Sequence, residues 1–356
     1  MNVFHLIGDK LLHGVGSFFA MDFGTNALRL VELSGNAQDG WKLEKYAYMP
    51  VEAKVMSDDS DAGRRRIGEA IKEAVKRAGI KTKNIAIGLP ARKTYTAIIE
   101  VDRAPADELR KTLRFQLDQY IPMAVDEAKV DYVILGPNPN NPKKTEVLVS
   151  STAKKYAEER MEMLEGLGFN VIAQEPEPIA MTRALMPLGA TDAQMIVDLG
   201  EKSTDLVVAY HNAPRLVRTI PGGLSLLVRT VSNNLRVRED QAREFILRYG
   251  LVQDQLDGQV FQALDTVLDN YTQELTKSVK FFQSNYTNAK VGGIILSGFA
   301  GVIPFLAEYV EVKTGVSTVQ GNPWQLVRVT PEQQQSLINV ASEYAVAIGL
   351  AERSND

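Results

Sequence analysis

"AMDFGTNALRLVEL", Ala20 to Leu33, reads as a buried strand headed by an aspartate, a Gly-Thr-Asn turn, and a second apolar strand. Met195 to Val208, "MIVDLGEKSTDLVV", repeats it. Laying Asp22 on Asp198 puts Gly24 on Gly200, Leu30 on Leu206 and Val31 on Val207, at a constant offset of 176 residues. Glycine at such a bend lets successive backbone N–H groups point at a phosphate. An aspartate closing the preceding strand can hold Mg2+, usually through water, against the same phosphates. Two such hairpins can grip one nucleotide from both sides. A plainer reading, two strand-end turns in one core, fits the residues equally well.

The chain has 356 residues, which suggests about two domains, and it is 45% hydrophobic and 24% charged. A net charge of −4 gives no general attraction to nucleic acid. The densest basic cluster, Arg64-Arg65-Arg66, opens a helical pattern and reads as a solvated face. There is no cysteine, so disulfides, thiolate metal sites and a cysteine nucleophile are excluded. Histidine occurs only at His5, His13 and His211, which argues against a Ser-His-Asp site or a histidine-rich zinc site. No phosphate-binding GxxxxGK[ST] or dinucleotide GxGxxG pattern is present.

Val291 to Ala307, "VGGIILSGFAGVIPFLA", carries no charge over 17 residues, just short of the ~20 that span a bilayer. Gly298, Gly301 and Pro304 interrupt it. It reads as a strand over 293–296, a turn over 297–301 and a helix from Val302. Residues 1–17 place Val3, Phe4, Ile7, Leu11 and Leu12 around a single Lys10. This is a short amphipathic segment, read as packed on the body rather than as a membrane-surface anchor.

Alternating patterns follow. Strands are expected at 18–23, 28–34, 42–49, 84–89, 94–101, 129–135, 145–151, 170–173, 194–198, 204–210, 215–219 and 293–296. Helices are expected at 62–78, 106–120, 153–167, 177–186, 223–235, 238–249, 258–287, 302–314 and 331–350. Ile67, Ala70, Ile71, Ala74 and Val75 make one helix face, which Gly79 ends. Mixed strands and helices with well-spread turns argue an α/β class.

Further stretches narrow the field. Residues 84–135, above all "DQYIPMAVDEAKVDY", resemble the type IV pilus assembly protein PilM family. "EPEPIAMTRAL" (175–185), "PGGLSLLVRTVSNNL" (221–235), "ILSGFAGVIPFLAEYVEVKTG" (295–315) and "ASEYAVAIGLA" (341–351) follow in the family's order. The resemblance implies an actin-like (ribonuclease H-like) two-lobed ATPase fold, related to the cell-division protein FtsA. Subdomain 1A would comprise 18–83, 166–190 and 331–353, with a 1C-type insert at 84–165. Subdomain 2A would comprise 191–225 and 290–330, with 2B at 226–289.

It also implies a cytoplasmic, ATP-binding scaffold, peripheral at the inner face of the membrane through a partner. That partner is the N-terminal tail of a PilN-like protein, lying between 1A and 1C. Leu113, Leu117, Tyr120, Ile121 and Met123 would line the pockets, or else pack the insert's own sheet. Self-association is open and no nucleic-acid partner is implied. Asp22, Gly24, Thr25 and Asn26 match the first phosphate hairpin; Gly200, Ser203 and Thr204 match the second. Asp22 and Asp198 would hold Mg2+ across a cleft. Glu177 matches the glutamate near the attacking water in Hsp70-like relatives; its competing role is a helix N-terminal carboxylate. Gly298, Phe299 and Gly301 stand in the adenosine turn, where Gly-Gly-Gly is usual. Glu201 and Lys202 replace small residues, and Arg243 and Ile246 replace the usual Glu and Lys. A pseudo-ATPase scaffold and a metabolic kinase of the same fold remain the alternatives, and ATP hydrolysis stays open.

Overall fold

The computed structural model describes residues 16–58 and 60–353. The amphipathic segment expected at the N-terminus therefore lies almost wholly outside the described residues. In chain order the elements begin β1 (Phe19–Phe23), β2 (Ala27–Asn36), β3 (Gly40–Pro50), α1 (Ala53–Met56), α2 (Asp61–Ala78), β4 (Asn84–Leu89) and β5 (Thr94–Asp102). Then come α3 (Ala106–Gln116), β6 (Ala128–Pro137), β7 (Lys144–Ala153), α4 (Lys154–Gly166), β8 (Asn170–Pro176) and α5 (Glu177–Leu185). Next are β9 (Ala193–Leu199), β10 (Ser203–Tyr210), β11 (Ala213–Pro221), α6 (Leu224–Leu235), α7 (Glu239–Tyr249) and α8 (Gln259–Asn285). The chain ends with β12 (Val291–Gly298), α9 (Leu306–Thr314), β13 (Thr318–Gln320), β14 (Val327–Arg328), α10 (Pro331–Leu337) and α11 (Ala345–Ala351).

Two compact units result. Of the described residues, the first comprises 16–58, 60–184, 323–337 and 346–353; the second comprises 185–322 and 338–345. The main sheet of the first has the order β14-β3-β2-β1-β4-β8. The meander β1-β2-β3 is antiparallel, and β4 and β8 join in parallel. The sheet of the second has the order β11-β10-β9-β12-β13. There too an antiparallel meander, β9-β10-β11, is extended by parallel strands, β12 and β13. The 176-residue echo in the sequence is thus an echo of architecture, β1-β2 upon β9-β10.

Local chemistry explains the elements. The Ser60 side chain accepts the Gly63 N–H to cap α2, and Gly79 at φ 67 ends it. The buried face of α2, Ile67, Ile71 and Ala74, packs on Met21, Leu30, Ile85 and Ile87. In the second unit Leu227, Val231, Leu264, Leu268 and Leu275 cover Val197, Leu206, Val208 and Leu296.

The insert is a three-stranded antiparallel sheet, β5-β7-β6. Side chains alternate across a strand, so it has two different faces. On one, Ile99, Val101, Val147 and Val149 meet Leu109, Leu113, Leu117 and Ile121. On the other, Leu148 meets Ile179 of α5, with Ile98, Val133 and Leu135 half-buried beside them.

Three expectations are corrected. The helix foreseen over 331–350 is broken into α10, a 3-10 turn at Ala341–Tyr344, and α11. Residues 338–345 belong to the second unit, where Ser342 Oγ donates to the Gly298 carbonyl at 2.9 Å. The helix foreseen from Val302 starts at Leu306, because Phe305 takes φ 59 and the Pro304 carbonyl accepts from Leu251 N–H at 3.0 Å. The helix foreseen to residue 120 ends as an α-helix at Gln116 and tightens into a 3-10 turn over Leu117–Gln119. No described helix is long and apolar enough to cross a membrane.

The C-terminal segment locks the first unit. Arg353 is 1% exposed, and its Nη1 donates to Glu175 Oε2 at 2.7 Å. Arg183 Nη2 donates to Glu175 Oε1 at 2.8 Å, and its Nη1 donates to the Gly349 carbonyl. Glu352, beside them, is 5% exposed, and neither carboxyl oxygen has a hydrogen-bond partner among the described residues. Burial pushes its pKa up to about 8, against the pull of Arg183. Gly349 sits so close to α5 that a Cβ would lie 2.5 Å from the Ala180 carbonyl carbon. Gly349→Ala is therefore expected to cost about 3 kcal/mol, read as a lowered urea midpoint, because backbone rather than a flexible side chain is in the way.

Candidate functional site

Each meander builds its turn at the end of its first strand. In the first unit Asp22 lies directly opposite Arg29 in the β1-β2 ladder. Arg29 Nη1 donates to Asp22 Oδ2 at 3.1 Å, and both side chains are 7% exposed. The same guanidinium lies against Gly24, in the space a Cβ would need, and 5.3 Å from the Tyr48 ring. Gly24, Thr25 and Asn26 form the half-exposed bend, and Asn26 O accepts from Val51 N–H at 2.9 Å.

In the second unit the equivalent pair, at an offset of 176, is Asp198 opposite Asp205. Side chains facing each other there stand roughly 5 Å apart at Cβ. Thr219 Oγ1 donates to Asp205 Oδ1 at 2.5 Å. One hairpin thus neutralises its aspartate with a buried arginine, and the other sets a second carboxylate opposite. A hydrated Mg2+ takes one or two carboxylates plus phosphate oxygens. That chemistry fits Asp198, and it fits Asp22 poorly, because a cation already engages it. Among the described residues no group of three or more His, Cys, Asp or Glu forms a metal cluster.

The second bend is held from behind. Gly200 N–H donates to Ser203 O at 2.9 Å. Leu224 N–H donates to Gly200 O and Ser225 N–H to Glu201 O, at 2.9 and 3.0 Å, and Thr204 Oγ1 donates to Gly222 O at 2.9 Å. The start of α6 therefore braces the bend and fixes Ser203 and Thr204 in it.

The turn after β12 comes next to this hairpin. Gly298 has φ 61, and a Cβ there would stand 2.7 Å from Leu199 O and 2.9 Å from Asp198 Oδ1. Only glycine allows that approach. Phe299 is 7% exposed and packs with the core of the second unit. Arg243 of α7 lies over it, with the guanidinium carbon 5.8 Å from the ring centroid. Arg243 Nη2 also donates to Glu201 Oε1. Ile246 is fully buried in the same core and offers nothing to a ligand.

Glu177 opens α5 at the end of β8, in the first unit, half-buried and beside Gly88. The structure brings Asp22, Gly24, Thr25 and Asn26 together. It separately brings Asp198, Gly200, Ser203, Thr204, Gly298, Phe299 and Gly301 together. Of the two roles open to Leu113, Leu117 and Ile121, the structure shows the second: these side chains pack the insert's own core, at 0%, 6% and 7% exposure. Tyr120 and Met123 are half-buried against the same core. The accessible apolar side chains nearest α5 are Ile98, Val133 and Leu135, on the opposite face.

Three site residues escaped the sequence reading: Arg29 and Arg243 as the partners they are, and Asp205. Their signal was present. Positions 22 and 29 are equidistant from the first bend, as are 198 and 205 from the second, and equidistant residues of a hairpin pair.

Comparisons with known proteins agree with this architecture. A structure described as a PilM-PilN type IV pilus biogenesis complex matches with a TM-score of 0.79 and 24% identity, covering 95% of this chain and 98% of that one. Ethanolamine utilization protein EutJ from Carboxydothermus hydrogenoformans matches at 0.54 with 14% identity, covering 98% and 94%. ADP-bound MreB5 of Spiroplasma citri matches at 0.50 with 11% identity, covering 94% of each chain. The fold is that of the actin-like ATPases. The sequence pattern of type IV pilus assembly protein PilM matches residues 20–355, and the chain therefore belongs to the PilM family.

Proposed function

We propose that this chain is a nucleotide-binding scaffold of type IV pilus assembly, or of a related secretion or DNA-uptake machine. It captures the N-terminal cytoplasmic tail of a PilN-like membrane protein and so works at the inner face of the membrane. The observation that carries this is the α5-facing side of the insert sheet. There Ile98, Val133 and Leu135 stay half-exposed against Ile179, in a chain whose family match spans residues 20–355. A short tail that orders on binding needs such apolar contacts to offset its lost chain entropy. The similar structure that holds a PilM with a PilN supports the choice of partner.

In this reading the insert, 84–165, is subdomain 1C. Residues 18–83, 166–190 and 331–353 are 1A, residues 191–225 with 290–330 are 2A, and 226–289 are 2B. ATP phosphates meet the hairpins at Gly24, Thr25 and Asn26 and at Gly200, Ser203 and Thr204. Gly298, Phe299 and Gly301 border the adenosine, Mg2+ is held chiefly by Asp198, and Glu177 lies toward the attacking water. The pseudo-ATPase reading is favoured by two observations, the engagement of Asp22 by Arg29 and of Glu201 by Arg243.

The test is a calorimetric titration of the chain with a synthetic N-terminal tail of a PilN-like protein from the same source, with and without Mg-ATP. Saturable micromolar binding is expected. No heat and no pull-down under either condition would reject the scaffold and reopen the metabolic kinase.

A further inference from the structure

We infer that the Glu201–Arg243 pair is a side-chain gate on the nucleoside part of the nucleotide site. While it is closed, the Arg243 guanidinium takes the place over Phe299 that a purine ring would take. This rests on the reading of the hairpin at 199–203 and the turn at 298–301 as parts of a nucleotide site.

The two residues of the pair look unrelated in sequence. Glu201 lies in the bend of the second hairpin, and Arg243 lies on α7, 42 positions away. The structure makes them one contact. The Glu201 side chain is 9% exposed, and its backbone is fixed by the start of α6. Arg243 is 35% exposed. The carboxylate is the anchored half and the guanidinium is the half able to swing out.

Where it rests matters. Arg243 reaches from α7 to the phosphate-type bend on one side and to the Phe299 ring on the other. A guanidinium is flat, delocalised and weakly hydrated, so it competes for an aromatic face in the way a nucleobase does. A base approaching Phe299 must displace it and break a charge-assisted hydrogen bond to a nearly buried carboxylate. The inorganic phosphates of the same ligand touch only the bend and meet no such barrier. The pair therefore discriminates against the nucleoside while leaving phosphate recognition intact.

The experiment compares Mg-ATP and inorganic triphosphate binding to wild type, Arg243→Ala, Arg243→Gln, Glu201→Gln and the double variant Glu201→Gln/Arg243→Ala. Opening the gate should tighten Mg-ATP by about tenfold, the scale of one hydrogen bond to a charged group. In the double variant, which removes both charges of the pair together, triphosphate affinity should stay within about twofold of wild type, since triphosphate never displaces the arginine. The double variant should be no tighter than Arg243→Ala, because one gate cannot open twice. Arg243→Gln, which preserves the polar stem, guards against a folding artefact and should follow Arg243→Ala.

Weaker Mg-ATP binding in both arginine variants would mean that Arg243 holds the nucleotide, and the gate is overturned. Unchanged affinity overturns it too, while leaving the nucleotide reading intact. If no variant binds either ligand, the nucleotide reading itself falls and the gate falls with it.

Discussion

Glu352→Gln is expected to stabilise the protein, by an amount that grows with pH. In the folded chain Glu352 is buried, beside Arg183, with its pKa raised from 4.5 to about 8. Desolvation of the charged form is the main cause. Between those two values the unfolded chain releases the proton and the folded chain keeps it. The folded state therefore binds more protons, and stability falls as pH rises from about 4.5 to about 8. The interval of about 3.5 pH units corresponds to on the order of 4–5 kcal/mol. Below pH 4.5 both forms are protonated and the penalty vanishes; above pH 8 it is complete. Glutamine is neutral throughout and escapes it. Thermal melts of both proteins at pH 5, 7 and 9 should show a gap that opens from about 1 kcal/mol at pH 5, because the other titrations cancel in the difference. Parallel pH profiles would show that Glu352 ionises normally in the folded protein.

The second large effect is on partner capture. Leu135→Asp, or Val133→Asp, is expected to weaken binding of the PilN-like tail by at least about a hundredfold. The added carboxylate must either stay hydrated and block the tail or be buried unpaired, which costs several kcal/mol. Both native residues are half-buried, so the folded insert tolerates the change better than it would at Leu113, which is fully buried. Phe115→Asp is the control. Phe115 is 84% exposed on α3, on the other side of the insert sheet. It should leave tail affinity unchanged. A loss at Phe115 with none at Leu135 would move the docking face to the helix side.

These two sites also show where the sequence was legible. The β1-β2 and β9-β10 hairpins were read from alternation and a repeated Asp-x-Gly bend, because short-range pairing is written into neighbouring residues. Leu109, Leu113 and Leu117 announced their helix by spacing alone. That spacing could not tell whether their apolar face meets a partner or the insert's own sheet, and it meets the sheet. Ile98 and Ile99 are adjacent, both isoleucine, and lie on opposite faces, so composition could not choose between them. The break within 331–350 was invisible for a related reason. Helical periodicity records a local preference, whereas Ser342 answers to Gly298, 44 residues away. Nothing in the sequence around Glu352 and Arg353 marks them as buried. Only three-dimensional packing turned them into buried groups.

The route of the chain has a consequence for its synthesis. It passes from one compact unit to the other four times, and the first unit is completed only by residues 323–337 and 346–353. At roughly 5–20 residues per second, the ribosome needs on the order of 10–30 s to travel from Ala184 to Arg353. Throughout that interval Glu175 and Arg183 exist without Arg353, and α5 lacks the helix that will cover it. The nascent first unit is an open, partly charged half-core that chaperones can hold. A release or cleavage event before Arg353 would leave it in that state for good. Closure of the first unit therefore waits on Arg353, long after α5 has been made.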